Sequence, residues 1–301
     1  MCKPRRHLPG QVAFLTRRTE GRAFYLRPDA HCRRVVRFEL AKAALSANCT
    51  IHGLMTMSNH PHIVLTDDQG DRSDFMRDFA AGTARSRNHM IGRKGHFWDN
   101  QQFGDTVLLD RDAVERKLIY TWTNPVEAGL VRRAREWPGA KILPRDWGKP
   151  MELAPPDDGF YKGGRPPLTF TPQPPPGFEE MGLEEVTEYF EEKLRDAEDR
   201  IAARRRRQGR GFRGARWVMG QSWTHRPGTP PARSKLSPRF ASTNAELRNG
   251  AIRAYASFLA AYDVCRRAWL DGDRDIEFPA GTIWLRKHAA VRCHPPDALG
   301  H

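Results

Sequence analysis

The chain has 301 residues, 39% apolar and 29% charged, which suits one large or two smaller folded units with a real hydrophobic core. No run of about 18 apolar residues is present and no apolar stretch follows the charged N-terminus, so neither a membrane span nor a secretory signal is expected. Fifty Lys and Arg against 36 Asp and Glu leave a net charge of +14, which points to a polyanionic partner, most simply nucleic acid.

The charge is uneven. Residues 1–150 hold 26 basic and 16 acidic side chains, residues 151–200 hold 5 and 13, and residues 201–301 hold 19 and 7, so two basic blocks flank an acidic one. The five cysteines (Cys2, Cys32, Cys49, Cys265 and Cys293) are scattered and include no Cys-x-x-Cys pair. That pattern reads as free thiols in a reducing cytoplasm, not as a disulfide frame or a zinc cluster.

The first predicted element is a short strand at 11–17. Pro28 and Asp29 open a helix to about Ala47, with Val35, Val36, Phe38, Leu40 and Leu45 as its apolar positions. Residues 49–57 read as a second strand, Ser58 and Asn59 as a tight turn, and 60–66 as a third strand, making a hairpin. Asp71 or Ser73 caps a helix to about Ile91, with Phe75, Met76, Phe79 and Ala80 on its apolar stripe. A fourth strand follows at 103–109. The order β-α-β-β-α-β is the split βαβ, or ferredoxin-like, pattern, an α+β fold of four antiparallel strands with both helices on one face. The other sheet face is expected to be free to bind a partner.

His60 and His62 lie two apart on the third strand. The side-chain period of a strand is two, so both imidazoles share a face, about 6–7 Å apart along it. They can clamp one divalent ion; the bland reading is a pair of solvated surface histidines. Pro61, Ile63 and Leu65 point the other way, toward a core. In the next helix Asp112 and Glu115 match a capping box. Val114, Leu118 and Trp122 form its apolar stripe, while Tyr120 and Asn124 share a different face one turn apart. Asn124 precedes Pro125 and should end the helix. A tyrosine and an amide there would serve a metal-assisted nucleophile; the alternative is a surface tyrosine covering a neighbour.

Beyond this, residues 126–137 form a basic turn, and 144–178 contain ten prolines, which suits a linker or an ordered extended arm. Residues 183–207 read as a long helix, acidic first and basic last, in keeping with the helix dipole. Residues 208–239 mix Gly, Pro, Arg and Ser with Trp217 and Trp223, suiting either single-strand contact by charge and stacking or a disordered basic arm. Thr243 and Glu246 suggest a second capping box opening a helix to about Leu270, with Ile252, Tyr255, Phe258, Leu259, Tyr262 and Trp269 on its apolar face. Residues 276–291 form a short apolar-basic tail. The expected division is 1–143, a Pro/Gly-rich linker at 144–182, and a helical, basic C-terminal extension at 183–301 with DNA binding as one role.

Three stretches, HGLMTMSNHPHIVL at 52–65, GHFW at 95–98 and YTWTNPVEAGLV at 120–131, together resemble the single-tyrosine HUH transposases, in particular the REP-associated tyrosine transposases of bacteria. The resemblance covers residues 10–140, under half of the chain. One position departs from that pattern: a bulky hydrophobe is usual between the histidines, and here it is Pro61, which lacks an N–H and calls for an edge, a bulge or a lost ladder bond.

The resemblance implies the ferredoxin-like fold and a site in which His60, His62 and the amide oxygen of Asn124 hold Mg²⁺ or Mn²⁺. Tyr120 would be the nucleophile, cutting single-stranded or hairpin DNA through a 5′-phosphotyrosine and rejoining strands without ATP. Arg85, Arg87, Arg93, Lys94, Arg132, Arg133 and Arg135 are candidate phosphate contacts. The implied setting is the bacterial cytoplasm, at the nucleoid, as a monomer or a homodimer with the tyrosine acting in cis or in trans. Two other readings stand beside this one. The first is a non-catalytic nucleic-acid-binding module retaining the fold. The second is a metal-dependent hydrolase using a water nucleophile.

Overall fold

The structure, a computed structural model, describes residues 4–157, 159–161, 166–228 and 239–295. The chain begins β1 (Gln11–Thr16), α1 (Ala30–Ser46), β2 (Cys49–Met57), β3 (His60–Asp67), α2 (Arg72–Met90), β4 (Gly104–Leu108) and α3 (Arg111–Glu127). The short β5 (Lys141–Ile142), β6 (Met151–Leu153) and β7 (Leu168–Phe170) lead to the long α4 (Leu183–Arg207) and the short α5 (Ala215–Met219). Then come β8 (Phe240–Ala241), α6 (Ala245–Leu270), β9 (Glu277–Phe278), α7 (Ile283–His288) and β10 (Arg292–Cys293).

The fold is α+β, built on a six-stranded sheet in the order β5-β2-β3-β1-β4-β8. The middle four strands, in the order β2-β3-β1-β4, pair antiparallel with their neighbours. β8 adds to the edge parallel to β4.

Alternation along the strands decides what covers each face. Ala13, Leu15, Ile51, Leu54, Ile63 and Leu65 share one buried cluster with Val36 and Leu40 of α1 and Phe75 and Phe79 of α2. Val12, Phe14, Met55 and Val64 point the opposite way and are also buried, against Leu118 and Trp122 of α3. Both faces are apolar, so both need a lid. The expectation of helices on one face and a free sheet face opposite is therefore corrected. α3 lies on that second face, and α4 packs outside α3 through Val186, Phe190 and Leu194.

Two glycines allow the close approaches. A Cβ at Gly53 would come within 2.7 Å of Leu118 Cδ2, so Gly53 lets α3 sit down on β2. Gly129, at φ +69°, turns the chain out of α3. That turn explains why α3 does not stop at Asn124 as expected. Pro125 lacks an N–H, yet Ala128, Gly129 and Leu130 donate back to Asn124, Val126 and Pro125 carbonyls at 3.0, 2.9 and 2.9 Å, closing a final turn to Glu127. The α3 cap is Asp110, whose carboxylate accepts from Ala113 N at 2.7 Å, and not Asp112. The α6 cap is Asn244, not Thr243: the amide oxygen takes the N–H groups of both Glu246 and Leu247.

Pro61 costs no ladder bond, although β3 is central and unbulged there. Its partner Thr56 donates its N–H to Ala140 O at 2.9 Å and accepts from Trp137 Nε1 at 2.8 Å, both away from β3. Thr56 and Pro61 thus form a non-hydrogen-bonded pair. The proline nitrogen faces β1, where pairing ends at Thr16 and His62. The bulge lies elsewhere, at His52, where the β2–β3 register shifts.

The described residues of 144–182 form an arm that carries core residues. Trp147 and Phe178 join the α3 side and Phe170 the α1 side. Trp147 Nε1 donates to His52 O at 2.8 Å, and Gln173 N to Ile51 O at 3.1 Å, so the arm is stitched to the bulge. Among the described residues no helix is long and apolar enough to cross a membrane.

Candidate active site

His60 opens β3 and His62 follows two residues on, so their side chains leave the strand together. The ring centroids are 4.5 Å apart, closer than the strand rise because the rings lean together. His62 is 4% exposed, which removes the reading of two solvated histidines. It stacks on Phe14 of β1 at 5.4 Å and meets the Tyr120 ring edge-on at 5.5 Å.

Tyr120 projects from α3 on the side away from Leu118 and Trp122. Tyr120 is 47% exposed while Leu118 and Trp122 are fully buried. Tyr120 therefore reaches the surface with its ring perpendicular to that of His62 of its own chain. Lys117, one turn earlier, holds its ammonium 4.9 Å from the Tyr120 ring centroid and 4.6 Å from that of Phe14. Burial lowers the Lys117 pKa below its ordinary value.

The protonation of the pair follows from its neighbours. Asn59 Nδ2 donates to Arg22 O at 3.2 Å, which turns Asn59 Oδ1 toward His60 Nδ1, 2.6 Å away. An amide oxygen can only accept, so Nδ1 carries the proton and the Nε2 lone pair is left over. Burial, then the Arg18 and Arg22 charges, push the His60 pKa down to about 4. Burial, then the His60 and Lys117 charges, hold His62 well below the usual histidine range. Both rings are thus neutral at pH 7, the ligating form. His62 is also unusual in that both ring nitrogens are buried without a hydrogen-bond partner among the described residues. A buried polar atom left unpaired costs free energy, and a metal ion is one way to satisfy it.

Among the described residues no third His, Cys, Asp or Glu joins the two histidines. A divalent ion there would need oxygen from Asn124, which is half-buried and lines the same groove as His60. Two imidazoles, one amide oxygen and room for water or phosphate oxygens fit Mg²⁺ or Mn²⁺ in donor type.

The basic candidates separate by burial. Arg87 is 1% exposed and spends its donors on Tyr25 O, His31 Nδ1 and both carboxylate oxygens of Asp29, so it cannot reach a phosphate. Arg93 pairs with Glu20 and lies over the Tyr25 ring, and Arg133 bridges Glu198 and Asp199 on α4. Arg85, Lys94, Arg132 and Arg135 are exposed. The groove beside His60 is instead bordered by Arg22, Arg205, Arg210 and Arg213, which sequence reasoning did not single out for this site. Asn59 and Lys117 were also missed. Their signals were adjacency to His60 and an i−3 spacing from Tyr120.

No family model matches the chain, and no curated protein matches it. Among solved structures it is similar to a REP-associated tyrosine transposase bound to a REP hairpin, at 20% identity and a TM-score of 0.41, over 55% of this chain and 98% of that one. It is also similar to a candidate transposase from Deinococcus radiodurans R1, at 20% identity and a TM-score of 0.28, over 35% of this chain and 84% of that one. What the chain does has to follow from the site's own residues.

Proposed function

We propose that this chain is a metal-dependent single-stranded DNA endonuclease and strand transferase of the transposase kind, acting on hairpin-forming repeat DNA through a 5′-phosphotyrosine at Tyr120. The observation that carries the reading is the exposed Tyr120, its ring 5.5 Å from the buried His62 of the same chain, whose ring nitrogens have no hydrogen-bond partner among the described residues. A non-catalytic binding module has no use for a phenol ring held against a neutral, buried imidazole.

In this reading His60, His62 and Asn124 hold Mg²⁺ or Mn²⁺, which when bound would draw charge from a non-bridging oxygen of the scissile phosphate. Asn59 fixes the His60 tautomer. Tyr120 loses its proton, its oxygen bonds to phosphorus, and the bond from phosphorus to the 3′-oxygen breaks. The leaving 3′-oxygen takes up a proton. Phosphodiester energy is kept in the tyrosyl ester, so a 3′-hydroxyl can reverse the step. A free phenol has a pKa near 10, and the Lys117 ammonium lies 4.9 Å from the Tyr120 ring centroid. Residues 1–143 carry this chemistry, with 144–182 as their structural arm and 183–301 as an extension that binds DNA.

Incubation with Mn²⁺ and a hairpin oligonucleotide labelled at its 3′ end, followed by a denaturing gel, tests it. The label should move with the protein for the wild type and stay free for Tyr120→Phe, whose DNA affinity should be nearly unchanged. Strand cutting with no label on the protein would favour a water nucleophile. Binding without cutting would leave a nucleic-acid-binding module.

A further inference from the structure

The segment after α4 does not trail away. It arches over the opening of the histidine site and is fixed at both ends. At one end Arg213 N and Gly214 N donate to the carbonyls of Gly129 and Leu130, at 3.0 and 2.8 Å, on the turn that closes α3. At the other, Phe24 N donates to His225 O at 2.9 Å and Arg27 to Gln221 O at 3.1 Å. Between the anchors Val218 is buried in the α3-side core. The arch and the sheet end enclose a groove of about 970 Å³ that has His60 and Asn124 on its wall.

The arch's contribution to that groove alternates cation and ring. The Arg205 guanidinium lies 5.1 Å from the Phe212 ring centroid, and that of Arg213 lies 5.3 Å from the Trp217 ring centroid. Trp217 is 41% exposed, unusual for an indole with a core available next to it. Arg210 and Arg213 are exposed and border the same groove. Among the described residues, no carboxylate side chain lines the groove.

We propose that residues 205–228 form the outer wall of a strand-binding groove that delivers single-stranded DNA to the histidine site. The arginines take phosphates and Trp217 stacks a base. Charge selects a polyanion. The exposed indole selects a single strand, because the π faces of duplex bases are already covered by their neighbours. The groove offers no array of side chains spaced to read base edges, so sequence preference in it should be weak. The inference rests on the strand-cleavage reading only for its end point at His60 and Asn124.

The test is fluorescence anisotropy of the full chain with a 5′-fluorescein 15-mer of oligodeoxythymidine in EDTA, so that binding is read apart from chemistry. Trp217→Ala should weaken binding about tenfold and Trp217→Phe should restore most of it. Arg210→Glu and Arg213→Ala should each weaken it and flatten the salt dependence, by roughly 0.7 in the log–log slope for each arginine lost. Arg34→Ala, on the exposed side of α1 and outside the groove, should leave it unchanged. Because Arg210 is fully at the surface, its variant keeps the test alive if Trp217→Ala fails to fold. Unchanged affinity in both Trp217→Ala and Arg210→Glu would overturn the proposal. So would equal binding of a blunt duplex, or tighter binding of a 15-mer RNA. If Trp217 matters but no Tyr120 adduct forms with Mn²⁺, the groove stands and the cleavage reading falls. If the adduct forms while Trp217→Ala and Arg210→Glu bind normally, the reverse holds.

Discussion

His62 shows how much of the site is decided one side chain at a time. Strand alternation sends it to the α3 side, Phe14 stacks under it, and among the described residues both its ring nitrogens lack a hydrogen-bond partner, which suits the proposed ligand role. The pairing of His60 and His62 and the separate face of Tyr120 were legible from spacing alone, because a period of two and a period of 3.6 are geometric facts of the backbone. Arg87 was not legible. A run of arginines on α2 looks like a solvated phosphate-binding face, and only the folded chain shows Arg87 clamping Asp29 and the Tyr25 carbonyl. Arg87→Ala should therefore lower stability by about 2–3 kcal/mol, less than for a fully buried pair because Asp29 keeps some solvent contact. It should leave oligonucleotide affinity unchanged once folding is restored by lower temperature. Urea melts and anisotropy on the same variant check it; weakened binding at full stability would return Arg87 to the DNA surface.

At the level of elements, β1 to α3 were placed to within a few residues by pattern, and the differences have local causes. Asp110, two positions before the expected cap, and Asn244, one position after it, take those places because their short carboxylate and amide oxygens meet the free N–H groups. α3 ran past Pro125 because Gly129 supplies the closing turn. The covering of the second sheet face was half visible: Met55, Val64, Val12 and Phe14 are apolar, but what lies on them comes from distant sequence. The His52 bulge ties these parts together. Its Nδ1–H donates to Gln173 O at 2.9 Å and its Nε2 accepts from Thr66 Oγ1 at 2.8 Å, a pattern the neutral ring satisfies on both sides. Burial pushes the His52 pKa down to about 4. The unfolded chain, with a pKa near 6.5, binds the proton more readily, so the stability neutral His52 provides is full above about pH 6.5 and is lost as pH falls toward 4. That loss is roughly 3 kcal/mol over the interval. His52→Gln should be less stable at pH 7 yet lose less on acidification; thermal melts at pH 7 and 4.5 showing the same drop in both proteins would contradict this.

On the scale of the whole molecule, the arm and α4 are structural before they are anything else. Trp147, Phe178 and Phe190 are each buried against α3 or its surroundings, and their removal would bare a continuous apolar surface. A chain cut after residue 143 should lose its cooperative thermal transition and its near-ultraviolet circular dichroism, even though every proposed catalytic and metal-binding residue remains. A sharp melt matching the full chain would show instead that the first 143 residues are an independent unit. Placement of the extension could not be read from sequence, since prolines at 144–178 argue equally for a linker and for an ordered strap, and the deciding contacts are long-range. Residues 205–228 are carried back beside the histidine corner, while α7 pairs through Lys287 with Asp71 and Asp74 near the start of α2.

The central claim is that Tyr120 takes the strand covalently. Trypsin should release it within residues 118–132, between Lys117 and Arg132, where it is the only tyrosine. After reaction with Mn²⁺ and a hairpin oligonucleotide, then nuclease and trypsin digestion, mass spectrometry should find that peptide heavier by a nucleotide 5′-phosphate, with the modification on Tyr120. A nucleotide on any other peptide, or cleaved DNA with the 118–132 peptide unmodified, would contradict the account.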